Sequence, residues 1–196
     1  MTEAGVTETT GVRERVLGTA TRLFYAQGVR AVGIDLVVAE AAVAKTSLYR
    51  HFRTKDDLVA AFLQAEDADF WSTWDAATTE GGGDAMAELE AQLAWIAERV
   101  SRPGYRGCPQ LNVAAEFPEP DHPARTVAVA HKAELRARLE AITTRLDVPE
   151  PRLLAGQLAL LVDGAFARSP VAKVDDTGEL LVGAARTLLA ASGVSC

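Results

Sequence analysis

The stretch Ile34-Asp35-Leu36-Val37-Val38-Ala39-Glu40-Ala41-Ala42-Val43-Ala44-Lys45-Thr46-Ser47-Leu48-Tyr49-Arg50-His51-Phe52-Arg53-Thr54-Lys55 decides the fold. Its apolar residues recur at helical rather than alternating spacing. It divides into a helix of about two turns (Ile34 to Ala41), a turn of three to four residues, and a second short helix (Lys45 to His51). That is the plan of a helix-turn-helix. Leu36, Val37, Val43, Leu48 and Phe52 are the positions expected to fix the two helices to each other and to the helix before them. With Leu48 pointing inward, Thr46 and Arg50 lie roughly 160° and 200° away around the second helix. Ser47 and Tyr49 flank them, and Lys45 is long enough to swing outward from the helix start. The expected outward face is therefore Lys, Thr, Ser, Tyr and Arg, with no acid.

Working outward, Gly and Pro punctuate the 196-residue chain into further helices. The preceding one is expected from Val12 to Gln27, with Val16, Ala20, Leu23 and Phe24 on one face and Gly28 as its C′ residue. The following one opens at Thr54, with Asp57 placed for an acidic variant of the capping box, and continues to about Ala77. After the Glu80 to Gly83 break, helices are expected from Asp84 to Val100, Pro109 to Phe117, Pro123 to Leu146, Glu150 to Arg168 and Asp175 to Ala191. No strand pattern or internal repeat occurs, so the expected fold is all-α with about nine helices. Residues 1–11 are acidic and Thr-rich, lack the apolar run of a signal peptide, and are expected to form an unstructured tail.

Composition looks at first like an obstacle to a nucleic-acid role. The net charge is -7, and acidic proteins are poor partners for DNA. Partition removes the obstacle. Residues 41–55 hold Lys45, Arg50, Arg53 and Lys55 and no acid, a local +4. Residues 1–60 carry net +1 and residues 61–196 net -8. Phosphate binding needs a local field and counterion release, which a small basic surface supplies. No run reaches 18 apolar residues, which excludes a membrane helix. Two cysteines, Cys108 and Cys196, make no disulfide framework, and a reducing, cytoplasmic setting is expected.

The run Ala39 to Phe52 followed by Lys55 resembles the tetracycline-repressor family of bacterial transcriptional regulators, whose pattern A-G-V-S-x-x-x-L-Y-x-H-F and then Lys aligns from Ala41. Phe24, Gly28 and Ile34 to Val37 fit as well. The resemblance covers about the first quarter of the chain. It implies a three-helix DNA-binding domain (12–55) followed by a helical effector-binding and dimerisation domain (56–196). Tyr49 resembles the tyrosine that meets phosphate and thymine methyls, His51 the histidine that binds phosphate, and Lys55 a lysine held at a helix start to meet phosphate. Lys45, Thr46 and Arg50 occupy recognition positions, where an arginine can read guanine through O6 and N7. Ser47 completes the face, and Gly33 offers a backbone N–H where Ser or Thr is common. Ala42 and Ala44 depart from the family's usual Gly and Ser, which leaves the recognition helix short of a cap worth about 1 kcal/mol.

The last two helices are apolar over most of their circumference and must be buried on more than one side, so a homodimer through them is expected. Trp71, Trp74, Trp95, Tyr105, Cys108, Asn112 and Phe166 are the expected effector-lining residues, suited to a small hydrophobic ligand with a few polar anchors. The helix from Lys55 to the Trp71–Trp74 region is the expected lever between effector and DNA. Glu116, Asp121, His122 and His131 match no metal spacing, so no metal and no cofactor is expected. Cys108 lacks a placed base or oxyanion donor, so no enzyme is expected. The partners implied are double-stranded DNA carrying a palindromic operator, a second copy of the chain, and a small-molecule effector, with the chain acting as a repressor. The alternative is a helical small-molecule-binding protein without operator binding. The salt dependence of DNA binding separates the two.

Overall fold

In this computed structural model, residues 3–171 and 176–194 are described, with backbone alone for residues 3–10 and 171. Among them the chain is all-helical: α1 (Glu3–Gln27), α2 (Ile34–Ala41), α3 (Lys45–His51), α4 (Lys55–Glu80), α5 (Ala85–Val100), α6 (Pro109–Glu116), α7 (Pro123–Arg145), α8 (Pro151–Arg168) and α9 (Thr177–Ala191), with one 3-10 turn at Ser169–Val171. Cys196 and Asp175, the expected start of the last helix, lie outside the described residues.

The helices divide into two compact units. The first holds residues 1–67 and 109–129, the second residues 68–108 and 130–196. The first unit therefore includes α6 and the start of α7 as well as α1 to α3, a wider grouping than residues 12–55. Its core joins Val16, Ala20, Leu23 and Phe24 of α1 to Val37, Leu48, Phe52, Leu58 and Phe62, and also takes Val113 from α6 and Ala124 from α7. Phe24 and Phe62 meet edge to face at 5.8 Å.

Local chemistry explains the boundaries. Gly28, at φ +88, closes α1 with its N–H on the Phe24 carbonyl, the left-handed ending that glycine adopts without strain. Thr54 and Asp57 form the expected capping box reciprocally: Thr54 N–H donates to Asp57 Oδ2 and Asp57 N–H to Thr54 Oγ1, each at 3.0 Å. Asp84 caps α5 by accepting from Ala87 N–H at 2.7 Å. Two expectations need correction. The backbone is helical back to Glu3, so residues 3–11 extend α1 instead of forming a tail. No proline interrupts them. Leu36 is 37% exposed. Val37 and Ala41 form the buried i, i+4 stripe of this two-turn helix, with Ile34 and Val38 packed against the core beside it.

The second unit is built on α5, α8, α9, most of α7 and the second half of α4. Leu89, Leu93, Ile96, Leu135, Leu139, Ile142, Leu154, Leu158, Val162 and Leu189 are among its buried aliphatics. Glu88 is buried on α5, where it accepts from Thr78 Oγ1 at 3.2 Å and pairs with Arg145 of α7. Among the described residues no helix is long and apolar enough to cross a membrane.

Candidate nucleic-acid interface

The turn between α2 and α3 sets the angle of the helix-turn-helix. Ala42 adopts φ 52 and ψ 49, a left-handed conformation, and returns its N–H to the Ala39 and Val38 carbonyls. Neither Gly33 nor Ala44 makes a side-chain cap, as their side chains dictate. Leu48 is fully buried, and this fixes the rotation of α3. Thr46, Tyr49 and Arg50 are consequently exposed, Tyr49 at 41%, while Ser47 and His51 are half-buried. Thr46, Tyr49 and Arg50 thus follow the wheel derived from sequence, while Ser47 is more buried than that wheel implies. Gly33 is exposed ahead of α2. Arg53, just after α3, is also exposed.

The two lysines are placed differently from expectation. Lys45 is exposed, but an acid of the neighbouring helix reaches it: its Nζ lies 2.6 Å from Asp35 Oδ1 of α2. The hydrogen bond to Asp35 holds the Lys45 ammonium above its ordinary pKa. Lys55 turns inward, and its Nζ donates to the Val29 carbonyl at 2.6 Å. Burial pushes its pKa down, against the opposing pull of Glu116 and Asp56. Free cationic reach on this surface therefore rests first on Arg50 and Arg53. Asp35 was visible in the sequence as a first-turn acid, but its distance from Lys45 depends on the α2–α3 angle. Among the described residues no cluster of His, Cys, Asp and Glu is arranged to hold a metal.

The expected effector residues fall partly together. In the second unit the Phe70 ring lies 4.9 Å from Trp71, 4.9 Å from Trp95 and 6.3 Å from both Trp74 and Phe166. His131, buried, packs on Phe70 at 4.9 Å and on Trp71 at 5.0 Å. Tyr105 lies 6.5 Å from Phe166. Cations border this cluster: Arg99 over Phe70 and Trp95, Lys132 over Phe166, and Arg138 over Trp71 at 4.4 Å. Gln92, buried beside it, donates to the Trp74 carbonyl at 2.8 Å, and no described residue donates to its Oε1. Phe70 and His131 were missed as members of this group. Phe70 shares the α4 stripe with Trp74, which was the available signal, whereas His131 is linked to it only by tertiary packing. Cys108 is buried with a free thiol, and Asn112 is exposed on α6.

Comparison with known proteins agrees with this architecture. Residues 16–62 match the profile of bacterial regulatory proteins, tetR family. A TetR-family transcriptional regulator from Streptomyces coelicolor superposes with a TM-score of 0.89 at 33% identity, over 93% of this chain and 96% of that one. The HTH-type transcriptional regulator YjdC of Escherichia coli is 25% identical over 158 residues, 80% of this chain and 82% of its own. The reduced form of Escherichia coli NemR shares the fold, with a TM-score of 0.80 at 21% identity over 90% of this chain and 95% of that one.

Proposed function

Because the chain belongs to the TetR family of DNA-binding transcriptional regulators, we propose that it acts as a homodimeric repressor whose α3 reads a palindromic operator and whose second part, residues 56–196, dimerises and binds a small hydrophobic effector. One observation carries the reading of α3. Its rotation is fixed by buried Leu48, which leaves Thr46, Tyr49 and Arg50 outward on a helix that contains no acid. A helix so presented fits the major groove, and two of them in a dimer address half-sites about 34 Å apart. In this reading residues 12–55 are the DNA-reading part. Tyr49, His51 and Gly33 position the protein on phosphates and Arg50 contributes base readout. Ser47, Lys45 and Lys55 stand at its edge, the two lysines restrained by Asp35 and by Val29.

Dimerisation is supported by Leu153 and Leu160 on α8 and Leu180 on α9, exposed at 53%, 73% and 53%. So much large apolar surface on two adjacent helices is characteristic of an interface. Effector binding is supported by the Phe70 cluster and the spare acceptor of Gln92, an apolar lining with a polar anchor. The effector releases DNA only if it binds the two conformations with different affinity. Helix α4, which starts at Lys55 and carries Trp71 and Trp74, is the continuous lever. The setting is the bacterial cytoplasm, with no cofactor.

The test is Tyr49→Ala, assayed on a duplex that the wild-type protein selects from random DNA. The expected result is loss of retention in a gel-shift titration while circular dichroism and sedimentation stay those of the wild type. Wild-type affinity in the variant would remove α3 from the interface.

A further inference from the structure

The turn between α1 and α2 is held by groups outside the helix-turn-helix. Glu116, the last residue of α6, accepts from Val29 N–H through Oε1 at 3.0 Å and from Arg30 N–H through Oε2 at 2.7 Å. Val29 is 1% exposed, so its N–H has no recourse to water if the carboxylate leaves. Gly28 eases the approach, because a Cβ there would stand 3.3 Å from Glu116 Oε1, tighter than an ordinary contact. From the opposite side Lys55 Nζ donates to the Val29 carbonyl at 2.6 Å. A single residue, Val29, is thus held at its N–H by a carboxylate and at its C=O by an ammonium. The neighbours brace this arrangement. Phe117 lies under the Arg30 guanidinium at 5.5 Å and stacks on His122 at 3.9 Å. His122 Nδ1 accepts from Ala124 N–H, which leaves the proton on Nε2, 3.4 Å from Asp56 Oδ1 in the first turn of α4. An acid at the C-terminal end of a helix is opposed by the helix dipole, so Glu116 does not stabilise α6 itself.

We propose that Glu116 is a positioning residue for DNA binding: its carboxylate ties the α1–α2 turn, and with it the setting of α2 and α3, to the position of α6. The inference rests on the reading of α3 as the DNA-binding helix. Only Ala31, Val32 and Gly33 separate the clamped amides from α2, so the turn has little slack with which to absorb a displacement. A movement of α6 is passed to α2 through two charge-assisted hydrogen bonds, the stronger kind.

The experiment is Glu116→Gln in the full chain. Glutamine keeps the shape but turns an N–H₂ group toward one of the two amides, where no acceptor remains. Two quantities are read: affinity for a duplex selected by the wild-type protein, and amide hydrogen exchange by NMR. The expected result is about tenfold weaker DNA binding. Exchange at Val29 and Arg30 should rise about tenfold while core amides such as Leu48 keep wild-type protection. The sign is diagnostic. Removing an acid from a DNA-binding protein strengthens binding on electrostatic grounds alone, so weaker binding identifies positioning. Equal or tighter binding overturns the proposal, as does loss of protection spread evenly through α1 to α3. If the wild-type protein selects no duplex, the DNA-binding reading fails instead, and unaltered exchange at Val29 and Arg30 then overturns the clamp on its own.

Discussion

Ala42 holds a left-handed conformation at φ 52, where a Cβ crowds the following carbonyl at a cost of about 1–2 kcal/mol. Glycine adopts it without that strain but loses more entropy on folding. Ala42 is exposed, and the α2–α3 angle does not depend on its methyl group. Ala42→Gly is therefore expected to stabilise the protein by about 0.5–1 kcal/mol. In a thermal melt that appears as a rise of about 1–4 °C, and a lower melting temperature would contradict the assigned turn. The other single residues show where sequence stops informing. Tyr49 and Arg50 were legible because their exposure follows from helix geometry and one buried neighbour. Lys45, Lys55 and Glu116 were not, because each is settled by a partner on another element: Asp35, the Val29 carbonyl and the Val29–Arg30 amides. The sequence shows that these residues are charged, but their partners exist only after the helices have packed.

At the scale of elements, the helix boundaries were legible almost throughout, since Gly, Pro and capping residues act over a single turn. Thr54 with Asp57 and Gly28 illustrate this, and each does in the structure what local chemistry requires. Which face of a short helix turns inward was less legible: α2 buries Val37 and leaves Leu36 out. How closely two helices approach was not legible at all. Gly178, in the first turn of α9, packs so tightly on α5 that a Cβ would meet the Ala97 carbonyl oxygen at 2.8 Å and Ser101 Oγ at 3.0 Å. Ala97 O lies within the α5 backbone and cannot step aside as a side chain can. Gly178→Ala is expected to destabilise by about 1–2 kcal/mol, because overpacking of about 1–3 kcal/mol outweighs the helix-propensity gain of alanine. A denaturant titration checks this, and an unchanged midpoint would mean that α5 and α9 are further apart than described.

At the scale of the whole molecule, function depends on where the charge is rather than on how much there is. A net charge of -7 coexists with an acid-free run of +4 over residues 41–55, and α3 presents part of that run outward. The acidic remainder discourages indiscriminate adhesion to nucleic acid, so binding must be won by a few well-placed cations. With Lys45 paired to Asp35 and Lys55 drawn to Val29, the exposed Arg50 and Arg53 carry most of the outward positive charge of residues 41–55. The most direct test is the salt dependence of the affinity for a selected duplex. Two phosphates neutralised per protomer in a dimer predict that log K falls with log salt at a slope of about -4 or steeper. A slope near zero would contradict a DNA-binding role for this surface.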